Sequence, residues 1–126
     1  MGSEGALPTN ASELSIPEYA YLRHCFLVLD EIIRQMRNER GAEGSKVDEC
    51  RRARSTNRLK SMLLMNNQTT REFFRRLSDE GMAVKHETRS CNYWDATDNG
   101  VHLVSELRGA FDKLVTTYKS RSNVLK

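Results

Sequence analysis

The spacing of apolar residues changes at Gly81, and this change limits the folds that the chain can adopt. Before it, side chains three and four residues apart mark the inner face of a helix that Asn66 can cap, namely Thr70, Phe73, Phe74 and Leu77. After it, residues 83–87 and 93–96 suit two strands, with a polar turn over 88–92. Gly81 suits a helix end, because glycine adopts the left-handed conformation without strain. The sequence therefore predicts a helix followed directly by a short β-hairpin.

Longer helices are predicted on both sides of this unit. Ser15 can cap a helix over residues 17–37, whose apolar stripe consists of Leu22, Cys25, Phe26, Leu29, Ile32, Ile33 and Met36. After the hairpin, Thr97 can cap a second long helix, whose stripe consists of Val101, Val104, Leu107, Phe111, Leu114, Val115 and Tyr118. The chain is thus predicted to begin and end its fold with amphipathic helices.

The segment between the first helix and Asn66 is less regular. Residues 38–46 contain two glycines and predict a loop, whereas residues 47–54 fit either a short helix or a strand. From Thr56 onward the spacing predicts another short helix, with an apolar side formed by Leu59, Met62, Leu63 and Met65. We expect a core made of Leu59, Leu63, Phe74 and Leu77, with Leu103 and Leu107 packed behind it.

The order of elements predicts a mainly α protein with one small β-hairpin, of the α+β class. A length of 126 residues fits one domain, which we place at residues 15–118. Residues 1–14 lack periodicity and are expected to form a flexible tail, and residues 119–126 a fraying C-terminal tail.

Positive charge is concentrated in the middle of the chain. The net charge is +3, but the stretch from Arg51 to Arg89 contains ten basic residues against four acidic ones and so carries +6. Such a local excess is compatible with a nucleic-acid partner.

Several function classes are disfavoured. No apolar run approaches the roughly 20 residues that cross a bilayer, so we expect a cytoplasmic protein without a membrane partner, associated with the nucleoid if the source is prokaryotic. Cys25, Cys50 and Cys91 are expected to be reduced thiols, and neither they nor the histidines have metal-ligand spacing. Because nucleophile motifs and phosphate-binding loops are missing, we expect no catalysis and no cofactor.

Two sequence patterns resemble the winged helix-turn-helix of bacterial and archaeal regulators. The likeness is to the MarR and PadR types and to the small winged-helix proteins of plasmid partition systems. The end of the recognition helix in these families resembles Arg76, Leu77, Glu80, Gly81 and Met82. Their wing and the helix after it resemble Trp94, Ala96, Thr97, Gly100, Leu103 and Leu107. The resemblance covers residues 55–118 and implies that the helix before Gly81 enters a DNA groove.

The resemblance implies a set of DNA-contacting residues. On the recognition helix, its exposed face and its start would supply Asn66, Asn67, Gln68, Thr69, Arg71, Glu72, Arg75 and Arg76. Lys85 and Arg89 of the wing, with Arg58 and Lys60 of the preceding helix, would contact phosphates. We therefore expect a sequence-specific duplex-DNA-binding protein, most simply a transcriptional regulator, whose small-molecule effector the sequence does not identify.

The terminal helices predict a homodimer, because their apolar stripes exceed what one small core can cover. The expected interface residues are Leu22, Phe26, Leu29, Ile33, Phe111, Leu114, Val115 and Tyr118. Two alternatives stay open: a winged-helix partition protein that binds a centromere, and a winged helix that contacts proteins without binding DNA.

Overall fold

The computed structural model describes residues 16–125, and side chains over 17–121. It contains five helices and one hairpin within that range: α1 (Ile16–Arg40), α2 (Ser45–Ala53), α3 (Thr56–Lys60), α4 (Asn67–Asp79), β1 (Ala83–Glu87), β2 (Asn92–Ala96) and α5 (Asp98–Leu125). The predicted tail over 1–14 and its neighbour Ser15 lie outside the described residues. The α+β class with long terminal helices and a small hairpin is confirmed.

Several boundaries differ from the sequence prediction. The segment 47–54, which fitted either a helix or a strand, lies almost wholly in α2. This helix begins at Ser45, so the loop before it contains only residues 41–44. Helix α3 ends at Lys60, so Met62 and Leu63 lie in the turn that follows it. Helix α5 continues to Leu125, beyond Tyr118, where the sequence placed its end.

Helix α1 forms one wall of the core and packs against α2, α5 and β2. Cys25, Val28 and Leu29 are fully buried on its inner side. The predicted core is confirmed, since Leu59, Leu63, Phe74, Leu77 and Leu107 are buried and Leu103 packs at the edge of the core. Phe73 is buried with them. Burial of these side chains supplies most of the stabilisation, at about 1.5–3 kcal/mol for each large apolar side chain.

The hairpin is antiparallel and begins directly after α4. Its register pairs Ala83 with Ala96 and Lys85 with Trp94. The Cys91 N–H donates to the Thr88 hydroxyl oxygen over 3.1 Å, which closes the turn between the strands. The wing is therefore short, as the sequence predicted.

Two glycines join α4, the hairpin and α5. Gly81 has a φ of +72°, the left-handed conformation expected at this helix end. Gly100 lies so close to the hairpin that a Cβ there would come within 2.1 Å of the Met82 carbonyl oxygen. Between them, Thr97 accepts a hydrogen bond from the Gly100 N–H over 3.2 Å, so its predicted role as a helix cap is confirmed.

Helices α1 and α5 also pack against each other at the surface. The rings of Phe26 and Phe111 meet edge to face, with centroids 5.3 Å apart. Leu29 and Ile33 were predicted to contact a second chain, but both are buried inside their own chain. Leu114, Val115 and Tyr118 are exposed, so the free part of the predicted interface lies on α5.

Replacement of Phe74 by alanine tests the core. Phe74 is buried and its ring packs against those of Phe73 and Trp94, so we expect Phe74→Ala to lower the free energy of unfolding by about 3–5 kcal/mol. Leu64→Ala is the control, because Leu64 is 100% exposed and its loss should cost less than about 0.5 kcal/mol. Denaturant unfolding measures both values, and equal stabilities would contradict this packing.

Candidate nucleic-acid interface

Helix α4 separates a buried face from an exposed face. The predicted inner residues Thr70, Phe73, Phe74 and Leu77 are all buried. The other face is exposed and carries Gln68, Thr69, Arg71, Glu72, Arg75 and Arg76. The helix therefore holds three arginines outside the core.

The start of α4 is capped as predicted. The Asn66 side-chain oxygen accepts a hydrogen bond from the Thr69 N–H over 2.8 Å. The Thr70 hydroxyl donates to the Asn66 carbonyl oxygen over 2.9 Å. Because the cap occupies the Asn66 side chain, an anion at this end would meet backbone N–H groups, such as those of Asn67 and Gln68.

A concave groove of about 600 Å³ lies between α3, α4 and the hairpin. Its floor includes the buried rings of Phe74 and Trp94. Four cationic side chains line it, namely Lys60, Arg71, Arg75 and Lys85, together with one carboxylate, Asp79. The structure thus brings together residues predicted separately on α3, α4 and the wing.

Other residues of the predicted set do not line this groove. Gln68 and Glu72 are exposed on α4 and lie 3.4 Å apart, Nε2 to Oε1. Asn57 does line the groove and was not predicted. Its only sequence signal is its position in the first turn of α3, since an isolated asparagine has no distinctive pattern.

Arg76 points towards α1. Its guanidinium carbon lies 3.5 Å from the ring centroid of Tyr21, and its Nε is 3.2 Å from Glu80 Oε2. The Tyr21 hydroxyl donates to Glu80 Oε1 over 3.2 Å. These contacts attach the end of α4 to α1, a different role from the base contact that the sequence predicted.

Tyr21 and Cys25 lie on the buried side of this contact. Burial raises the pKa of Tyr21 above its ordinary value, and the nearby Cys25 raises it further. Burial also raises the pKa of the Cys25 thiol to about 12. Both groups are therefore neutral at pH 7, which suits their place beside the core.

The wing presents two exposed cations. Lys85 Nζ lies 3.9 Å from Glu87 Oε1, a loose ion pair. Arg89, in the turn, has no ion pair with any residue of the described range. His86 Nε2 lies 3.0 Å from Asp95 Oδ2, so this histidine is engaged with the returning strand.

Arg54 belongs to the basic stretch between Arg51 and Arg89, but it is buried, with 1% of its surface exposed. Its guanidinium donates to Glu39 Oε1 over 2.8 Å, to Asp95 Oδ1 over 3.1 Å and to the Trp94 carbonyl over 2.9 Å. It also donates to the Cys50 carbonyl over 3.0 Å. Arg54 therefore joins α1, α2 and β2 from inside.

Arg51 also turns towards this network. Its Nε donates to Glu39 Oε1 over 3.2 Å. Burial alone would raise the pKa of Glu39. The hydrogen bonds from Arg54 and Arg51 outweigh it and lower this pKa below its usual value. The two arginines are therefore matched by carboxylates, and the charge available to a ligand is smaller than the sequence sum of +6 suggested.

Within the described part of the chain, no group of three or more metal-binding side chains could hold an ion. No described helix is both long enough and apolar enough to cross a bilayer.

The arrangement of α3, α4 and the hairpin is that of known proteins. A mutant of MepR from S. aureus superposes with a TM-score of 0.58 at 13% sequence identity, over 87% of this chain and 67% of that one. The chain has a winged-helix fold of the MarR type. A second MepR mutant, from a multidrug-resistant S. aureus clinical isolate, has a TM-score of 0.46 at 15% identity, over 91% of this chain and 85% of that one. No family model and no curated protein sequence matches the chain.

In this winged helix, Arg54 offers a direct test of the internal network. Arg54→Met leaves the carboxylates of Glu39 and Asp95 without their shared partner, so we expect unfolding free energy to fall by on the order of 3 kcal/mol. Arg52→Met, at an exposed position in the last turn of α2, should change it by less than about 0.5 kcal/mol. Chemical denaturation compares the two, and a stable Arg54→Met protein would show that the network is dispensable.

Proposed function

We propose that this protein is a dimeric, sequence-specific duplex-DNA-binding protein that regulates transcription. The observation that carries the proposal is the groove in which Arg71 and Arg75 of α4 lie beside Lys60 and Lys85. The fold supports it further, because its structural neighbour MepR is a winged-helix regulator of the MarR family.

Helix α4 would supply the base contacts. An α-helix fits the major groove of B-DNA, where arginine pairs with guanine and glutamine with adenine through two hydrogen bonds each. Arg71 and Arg75 are exposed and are not engaged in ion pairs with described residues, so both are free to make such contacts. Gln68 and Glu72 would extend the reading surface along the helix.

Phosphate contacts would hold the helix in register. Lys60 of α3 and Lys85 of β1 both line the groove, so that each could neutralise a backbone charge. Arg89 in the turn of the wing and Arg58 on α3 would add contacts outside the groove. Backbone N–H groups at the start of α4 offer a further site for phosphate.

Base-reading and phosphate-binding residues should differ in their response to substitution. We expect Arg75→Ala or Arg71→Ala to weaken binding to the preferred site by about 1–3 kcal/mol and to change base preference. Lys85→Ala or Arg89→Ala should weaken binding to all duplexes and reduce the slope against salt concentration by about 1. Selection of a preferred site from random duplexes, followed by fluorescence anisotropy, measures both effects.

Arg40→Ala is the matched control, because Arg40 is an exposed arginine at the end of α1, away from the groove. It should bind like the unaltered protein. If all variants and the unaltered protein fail to bind any duplex, a protein-contact role takes the place of the proposal. If the protein binds only duplexes in which its site is repeated several times, as in a centromere, a role in DNA partition would be favoured instead.

Dimerisation would involve a crevice of about 320 Å³ between α1 and α5. Apolar side chains dominate it, among them Phe26, Leu27, Phe111, Leu114 and Val115. Tyr118, one turn further along α5, is 73% exposed. A second copy covering this surface would place two recognition helices about 34 Å apart, which suits two half-sites one DNA turn apart.

Charge placed in this surface should separate the subunits. We expect Leu114→Asp to shift the protein from dimer to monomer, because a carboxylate would be buried at an apolar contact. Val101→Asp is the control, since Val101 is exposed on the same helix but does not line the crevice. Sedimentation at micromolar concentration reports the mass, and a monomeric unaltered protein would contradict the dimer.

A further inference from the structure

A second concave surface lies beside the groove, where the end of α2, α3 and the hairpin meet. We name it the α2 recess; its volume is about 520 Å³. Its lining includes Arg52, Asn57, Arg58, Lys85, Cys91 and Asn92. The recess and the groove share Thr56, Asn57 and Lys85, so the two surfaces adjoin. Together they extend the cationic surface from α4 to the last turn of α2.

The α2 recess is strongly biased towards an anion. Three cations line it, and no carboxylate does. The side chains of Arg52 and Arg58 form no ion pair or hydrogen bond with any described residue, and Lys85 has only the loose contact with Glu87. The groove, by comparison, contains Asp79. The formal charge of the two linings is therefore the same, +3, but in the recess no carboxylate offsets the cations.

The position of Arg52 is set from inside the protein. Its neighbours Arg51 and Arg54 are drawn inward by Glu39 and Asp95. Because successive helix residues are turned by about 100°, Arg52 projects to another side of α2. These contacts fix the end of α2. The backbone that carries Arg52 is therefore held in place beside the recess.

We propose that the α2 recess binds a backbone phosphate of the duplex, outside the base pairs that α4 reads. This inference rests on the proposed function and deepens it, since it names α2 as part of the DNA-binding surface. Guanidinium groups bind phosphate through paired hydrogen bonds, and the amides of Asn57 and Asn92 can add neutral donors.

The salt dependence of binding tests the phosphate contact. For Arg52→Gln, we expect the slope of log K against log salt to fall in magnitude by about 0.9, the value for one phosphate that the protein no longer neutralises, while the ranking of duplex sequences stays the same. Arg52→Lys should retain most of the slope because it keeps the charge. Arg40→Gln, an exposed arginine outside both surfaces, should leave slope and ranking unchanged. Thermal melting confirms that all three variants fold.

Cysteine alkylation locates the contact within the full, unaltered chain. Cys91 lines the α2 recess, whereas Cys50 does not and Cys25 is fully buried. We expect saturating duplex to slow the reaction of iodoacetamide with Cys91 several-fold and to leave the rate at Cys50 unchanged. Mass spectrometry of peptides follows each thiol separately.

The outcomes separate this inference from the function on which it rests. A reduced slope together with protection of Cys91 supports the phosphate site. If the unaltered protein binds duplex DNA but either result is missing, the inference is wrong and the proposed function stands. If the unaltered protein binds no duplex at all, both are wrong.

Discussion

The buried guanidinium of Arg54 is the constraint on which the rest of the structure depends. A charge removed from water must be matched by acceptors, and here Glu39, Asp95 and two backbone carbonyls supply them. The Arg54 carbonyl oxygen also accepts from the Trp94 N–H over 3.0 Å. Because these partners belong to α1, α2 and β2, a shift of any one of the three would break a bond to a buried charge.

The constraint reaches α4 through Trp94. Its indole N–H donates to the Thr56 hydroxyl over 2.8 Å, and its ring packs 5.4 Å from that of Phe74. At the other flank of α4, Arg76 lies over Tyr21 of α1. The helix is thereby held on two sides, which leaves Arg71 and Arg75 exposed on a fixed backbone. Such preorganisation lowers the entropy lost when a surface binds its ligand.

Local signals made much of the fold predictable from the sequence. Asn66 caps α4, Gly81 ends it and Thr97 starts α5, and each of these roles follows from residue type and spacing alone. The fate of Arg54 was not predictable, because its carboxylate partners lie 15 and 41 residues away along the chain. The same limit applies to Arg76, whose partner Tyr21 belongs to another helix.

The arginines at residues 51, 52 and 54 show that a net charge summed over the sequence can exceed the charge that a ligand meets. Arg51, Arg52 and Arg54 are nearly consecutive, yet carboxylates fix the first and third while the second stays exposed. A sum over the sequence counts all three equally, although a cation that is paired with a carboxylate contributes little to the attraction of an anionic ligand. The acidic residues that decide this division, Glu39 and Asp95, lie outside the basic stretch itself. Carboxylates remote in sequence thus determine which cations face a ligand, and they do so by stabilising the fold.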